Sequence, residues 1–97
     1  MSPSRLVWCR AGDRYPDLKG VPDYFLALDG EEEIGLVRRE TGGSDEGRWM
    51  WSMLLRYPGP AFQRPTNGTT ARQREAVREL LECWWAFREW FGIDDAG

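Results

Sequence analysis

The final third of the chain carries an amphipathic pattern that constrains the fold more than any other feature. Large apolar residues recur there at spacings of three and four, which places them on one stripe of an α-helix. They are Val77, Leu80, Trp84, Phe87 and Phe91. Thr70 and Gln73 have the spacing of a capping box, and Gly92 is a residue type at which helices often end. The sequence therefore predicts a helix over 70–91, with a frayed tail over 92–97.

The apolar surface of this predicted helix is wider than one stripe. At about 100° per residue, Leu81 and Trp85 flank the stripe on one side, and Cys83 and Trp90 flank it on the other. Arg88 lies where its guanidinium can stack on a neighbouring indole. The opposite, solvent side carries Glu75, Glu79, Glu82 and Glu89. Because tryptophan and arginine are enriched at binding hot spots, Trp85, Trp90 and Arg88 are candidate contacts for a protein partner or a second copy.

Residues 23–56 have the pattern of an antiparallel β-meander. Three strand-like segments, 23–29, 33–39 and 48–56, are separated by the turn pair Asp29-Gly30 and by a polar, glycine-rich loop. Alternation in the third segment puts its larger apolar residues on the side that meets the helix. They are Trp49, Trp51, Met53 and Leu55.

The remaining segments complete a prediction of one small α+β domain over 1–97. Residues 1–22 contain either an edge strand or an ordered arm, followed by a loop, and the prolines and glycines of 57–69 predict a second loop. The expected architecture is a three-stranded meander, four-stranded if the first segment joins it. One C-terminal amphipathic helix packs against this sheet.

Composition excludes several classes of function. The chain has no histidine, which removes the commonest general base and metal ligand. Its acidic clusters lie in a predicted turn and tail, where water keeps carboxylates from acting as a catalytic pair. We therefore predict a protein that is not an enzyme and needs no cofactor or metal. Cys9 and Cys83 are read as buried thiols, and no stretch resembles a signal peptide or a membrane span, so a cytoplasmic location is expected.

The basic residues suggest an alternative. All but one of the 13 are arginines, although the formal net charge is −3. Depending on strand register, Arg39, Arg48 and Arg56 share the outer face of the sheet, where arginine can read guanine edges in a major groove. Nucleic-acid binding through that face is the alternative to our main hypothesis, a non-enzymatic protein-interaction or assembly module.

Two resemblances accompany these patterns. Three strands followed by a helix have the element order of the ethylene-response-factor DNA-binding fold, in which the sheet enters the major groove. The segments Glu40-Thr-Gly-Gly, Gly47-Arg-Trp-Met-Trp-Ser and Gly68-Thr-Thr-Ala-Arg resemble a group of short uncharacterised proteins of GC-rich bacteria, which we take to be alphaproteobacteria. The first resemblance implies DNA binding, and the second implies no activity.

Overall fold

The chain folds into an antiparallel sheet with one long helix packed on it. The computed structural model describes residues 6–54 and 65–91, without the side chains of Asp45, Trp90 and Phe91. In chain order the elements are β1 (Leu6–Arg10), α1 (Ala11–Arg14), β2 (Tyr24–Asp29), β3 (Glu32–Arg39), β4 (Trp49–Met53), β5 (Asn67–Thr70) and α2 (Gln73–Phe91). Short 3-10 turns lie at Pro16–Leu18 and Gly43–Asp45. The sheet order is β1-β2-β3-β4-β5, so the predicted α+β class and antiparallel meander are confirmed.

The sheet has five strands, and the prediction of three or four strands is wrong. The first segment does join the sheet as β1, paired with β2. The first three residues of the fifth strand, β5, lie within the predicted loop 57–69, where Asn67-Gly68 is locally typical of a turn. In the fold, Gly68 lies opposite Trp51, and a Cβ on Gly68 would be 2.7 Å from the indole Nε1. Glycine in this strand admits a neighbouring indole, so packing overrides the local turn preference.

The helix begins three residues later than predicted. Thr70 is the last residue of β5, and its Oγ1 donates a hydrogen bond to the Arg72 carbonyl at 2.7 Å, so it does not cap the helix with its side chain. That carbonyl also accepts the first helical bond, from Ala76 N at 3.2 Å. Gln73 is therefore the first helical residue, and the predicted capping box does not form. Gly92 and the predicted tail 92–97 lie outside the described residues.

The helix packs on one side of the sheet, which we call the α2 face. It contacts β3, β4 and β5. The buried cluster beneath it consists of Ala27, Ile34, Val37, Trp51, Ala76, Leu80, Cys83, Trp84 and Phe87. Leu80 lies against Gly35, where a Cβ would be 2.7 Å from the leucine Cδ1. The predicted stripe is thus confirmed for Leu80, Trp84 and Phe87, which are buried.

A β-bulge sets which residues of β3 reach this core. Ala27 lies opposite Gly35, but the next residue, Leu28, lies opposite Glu33, so Ile34 is an extra residue in β3. Ile34 is fully buried in the cluster beneath α2. Because the extra residue reverses the alternation, Glu33 turns to the other side of the sheet.

That other side, the α1 face, is covered where α1 packs against β1 and β2. Leu26 and Leu28 alternate with Ala27 and are 3% and 8% exposed, yet neither belongs to the cluster beneath α2. Glu33 receives a hydrogen bond from the Tyr15 hydroxyl and another from Arg14 Nε at 3.2 Å. The two layers are therefore offset, with α2 over one part of the sheet and α1 under another.

Candidate interaction surface

The helix leaves one end of the α2 face uncovered. It lies over β3, β4 and β5, and beside it an apolar groove of about 320 Å³ remains above β1, β2 and β3. The groove is lined by Trp8, Phe25, Val37, Gln73 and Val77. Trp8 and Phe25 are half-buried, and Val37 forms the floor with no exposed surface.

Strand alternation brings the groove residues together. Trp8 lies opposite Ala27, and Phe25 lies opposite both Arg10 on β1 and Val37 on β3. All of these side chains therefore share the α2 face. The guanidinium of Arg10 lies 5.7 Å from the centre of the Phe25 ring, so a cation borders the apolar floor at the sheet edge.

One flank of α2 forms the other wall of the groove. Val77 lines the groove, and Leu81, Trp85 and Arg88 follow it at helical spacing along the same flank. Trp85 is 36% exposed, whereas Arg88 is only 8% exposed. The Arg88 guanidinium lies 5.5 Å from the Trp84 ring centre and 5.9 Å from that of Trp85. The predicted stacking of Arg88 is thereby confirmed, and it holds the Trp85 indole at the surface.

Only some of the predicted interface residues lie on the same side of α2 as the groove. Trp85 and Arg88 lie on the groove side of α2. The side chain of Trp90 lies outside the described residues, and helical spacing assigns it to the other flank. Sequence reasoning missed Trp8 and Phe25 as candidate contacts. The alternating Leu6-Val-Trp-Cys-Arg segment was the available signal, but it does not indicate how far α2 extends over the sheet.

Arg39, one of the three arginines proposed for nucleic-acid contact, does not lie on the outer face of the sheet. Arg39 lies opposite Trp49, so it belongs to the α2 face, and its Nη1 is 3.8 Å from a carboxylate oxygen of Asp23. Arg48 is exposed just before β4, and Arg56 lies outside the described residues. The arginine that shares the α1 face with Met50 is Arg38, which pairs with Glu40 at 3.4 Å. The register therefore places Arg39 on the face that α2 covers. Nucleic-acid contact by Arg48 and Arg56 stays a prediction.

A second cleft, of about 390 Å³, lies between β5 and the other flank of α2. Trp51 Nε1 donates to Glu79 Oε1 at 2.8 Å, and Cys83 Sγ donates to the Pro65 carbonyl at 3.4 Å. Glu79, expected on the solvent side, is therefore half-buried by its bond to an indole. Cys83 is buried as predicted, whereas Cys9 is half-exposed, and both are free thiols.

The described residues contain neither a metal-binding group nor a membrane-spanning helix. No group of three cysteine and carboxylate side chains in 6–54 and 65–91 is arranged to hold a metal ion. No helix in the same part of the chain has the length and hydropathy to cross a bilayer.

Comparisons with known proteins do not assign the chain to a family. Neither protein-family models, nor curated proteins, nor solved structures give a match to the chain.

Proposed function

We propose that this chain is a non-enzymatic protein-interaction module that binds a protein through the groove between α2 and the β1–β2 end of the sheet. The observation that carries the proposal is the apolar groove of about 320 Å³ that α2 leaves open beside Trp8 and Phe25. Apolar surface rimmed by polar groups is typical of protein-binding sites on small domains. Here Arg10 and Gln73 supply the rim.

The residues around the groove are suited to binding by burial. Trp8, Phe25 and Val77 each keep part of an apolar side chain at the surface. Burying such surface is worth roughly 25 cal/mol per Å², and tryptophan contributes disproportionately at interface centres. The Trp85 indole, backed by Arg88, extends the apolar surface along α2. A partner that inserts an apolar side chain between Trp8 and Val77 would gain most from this arrangement.

Charge favours this proposal over the nucleic-acid alternative. Binding to phosphates draws on arginines that are free to neutralise them. Arg38 is paired with Glu40, and Arg39 is paired with Asp23. With a formal net charge of −3, the chain as a whole repels a polyanion.

A peptide-display selection against the whole purified chain tests the proposal. We expect it to enrich peptides whose binding is lost on Gln73→Trp, because a bulky indole at this exposed groove position fills the site without removing any core contact. Val77→Lys should weaken the same peptides by about tenfold or more. The matched control is Val21→Lys, which changes an exposed valine outside the groove.

Two outcomes of this selection would contradict the proposal. Enriched peptides that bind Gln73→Trp and Val77→Lys as tightly as the parent chain would overturn the proposal, provided circular dichroism shows both variants folded. Failure to enrich any peptide, with the parent chain folded, would also count against a groove that binds proteins.

A further inference from the structure

We infer that the partner at this end of the sheet is a second copy of the chain, joined through β1. The two β1 strands would pair antiparallel across a two-fold axis at Trp8, giving one continuous ten-stranded sheet. This inference rests on the proposed function in one respect: it names the partner that binds at this end of the sheet. The contact itself is the backbone edge of β1, and the groove lies next to that edge.

The two edges of the sheet differ in how they are protected. Exposed strand edges normally carry proline, a bulge or an inward-facing charge that prevents pairing with another chain. β5 is a four-residue edge of polar and small residues, whereas β1 is Leu-Val-Trp-Cys-Arg without a proline or a bulge, and its one charge, Arg10, lies at the end of the strand. Among the residues that the structure describes, no strand lies beyond β1. Val7 on this edge is 60% exposed.

The pattern of β1 is complementary to itself. A two-fold axis at Trp8 places Leu6 opposite Arg10 of the other copy and Val7 opposite Cys9, so all five residues of each strand are paired. The two Trp8 indoles would then lie side by side on the α2 face, at the Cβ separation of roughly 5 Å typical of directly opposite residues. The exposed Val7 would be covered on the α1 face by Cys9 of the other copy.

Charge supports the same register. Asp29 lies opposite Leu6 on β2, so it also belongs to the α2 face. Arg10 of the second copy, next to Leu6, would then be two strands from Asp29, roughly 10 Å between Cα atoms. Long side chains span this distance. Within the described part of the chain, neither Arg10 nor Asp29 forms an ion pair.

These two charges do not meet inside one copy. Arg10 lies opposite Phe25, which is four residues from Asp29 along β2, or roughly 13 Å. An interaction between Arg10 and Asp29 can therefore form only between two copies. The two-fold axis would produce two such pairs in each dimer.

Sedimentation of the full chain tests the inference by charge exchange. We expect the parent chain to sediment at about twice 11.3 kDa at high concentration. Arg10→Asp and Asp29→Arg should each weaken dimerisation by about tenfold, because each places two like-charged pairs across the contact. The double variant Arg10→Asp/Asp29→Arg should restore dimerisation to near the parent level. Arg48→Asp, the same charge change at an exposed position away from β1, should leave it unchanged.

A disulfide tests the register directly. Opposite residues of antiparallel strands have Cα separations of about 4.5–5.5 Å, which suits a disulfide. The cysteine introduced by Val7→Cys should therefore form a bond to Cys9 of the other copy under oxidised glutathione, giving a covalent dimer. The control Val21→Cys should not form that bond. Peptide mapping identifies the linked residues.

The outcomes separate this inference from the proposed function. A monomer at every concentration, or dimers whose affinity is unaffected by both single charge changes, would overturn the β1 pairing. A covalent dimer linked elsewhere than at positions 7 and 9 would do the same. Peptides that still bind the groove in a monomeric chain would support the proposed function while refuting the second copy as its partner.

Discussion

At the scale of single residues, Trp51 shows how one side chain can tie distant segments together. Its indole lies over Gly68 of β5, and its N–H donates to Glu79 of α2. At 4% exposure it is also part of the core beneath the helix. The strands β4 and β5 and the helix α2 are thus joined by one residue. Small substitutions at the residues that contact this indole should therefore lower the free energy of unfolding strongly.

Gly68→Ala is expected to lower the free energy of unfolding by about 1–3 kcal/mol. The added methyl group would lie 2.7 Å from Trp51 Nε1, and an overpacked site must shift backbone or side chain to relieve such a contact. Chemical denaturation measures the change. Gly42→Ala is the control, because a Cβ at that extended residue meets nothing within 4 Å. Equal unfolding midpoints for the two variants would show that the indole does not lie over Gly68.

A second residue-scale prediction concerns Tyr15 on the α1 face. Its hydroxyl donates to the Glu33 carboxylate, and this hydrogen bond raises the pKa of Tyr15, since the phenolate would lie beside a negative charge. The folded chain then holds the phenolic proton more tightly than the unfolded chain. The resulting stabilisation is complete below the usual tyrosine pKa of about 10 and is lost as pH rises through the higher folded value.

Thermal melts of the parent chain and Tyr15→Phe across this alkaline range test the sign. We expect the melting temperature of the parent to exceed that of Tyr15→Phe up to about pH 10, with the difference shrinking at higher pH. Tyr24→Phe, which removes a hydroxyl from β2, is the comparison variant. A difference that grows with alkaline pH would contradict the assigned hydrogen bond.

At the scale of elements, α2 is held by a few large side chains on one stripe, and sequence neighbours on it have different roles. Trp84 is 2% exposed in the core, and its ring centre is 6.1 Å from that of Phe87. Trp85, the next residue, is 36% exposed and touches the guanidinium of Arg88. Adjacent helix positions point about 100° apart, so one indole fills the core while the other remains at the surface.

Trp84→Ala should therefore cost about 3–5 kcal/mol of unfolding free energy, a large part of the stability of a chain this size. Trp85→Ala should cost less, about 1–2 kcal/mol, since more than a third of that indole is already exposed to water. Denaturant titration followed by circular dichroism compares the two. Equal losses, or a larger loss at Trp85, would mean that the helix is rotated from the orientation described.

The sequence predicted these elements where a local pattern coincides with the packing. The 3-4 spacing identified the buried face of α2, and alternation in β4 correctly placed Trp49, Trp51 and Met53 toward it. The pattern failed where a distant residue decides the structure. β5 depends on the indole that occupies the space over Gly68, and the helix start depends on Thr70 being used by the sheet.

At the scale of the whole molecule, the layers are staggered. α2 covers β3 to β5 on one side, and α1 packs against β1 and β2 on the other. The candidate groove is the part of the α2 face that this stagger leaves open. The sequence contains the groove residues but does not show that they are exposed. Their exposure depends on how far α2 extends over the sheet, and the sequence analysis predicted too few strands for that sheet.

The same limit applies to the candidate arginines. The sequence identified Arg39 and Arg48 as strand residues, but a shift of one residue decides which side of a sheet each side chain occupies. Local composition does not fix that register. The observed register, with Arg39 opposite Trp49, places Arg39 on the α2 face and not on the outer face.

The extra residue in β3 has a consequence for how this chain tolerates change. Ile34 and Gly35 both face α2, and Glu33 faces the tyrosine on the far side, because the ladder slips by one position after Ala27. Deleting Ile34 would leave Gly35 opposite Ala27 and Glu33 opposite Leu28 in an uninterrupted ladder, but it would remove a fully buried side chain from beneath α2. The pairing of the strand therefore tolerates a one-residue deletion at this position, whereas the core loses an isoleucine.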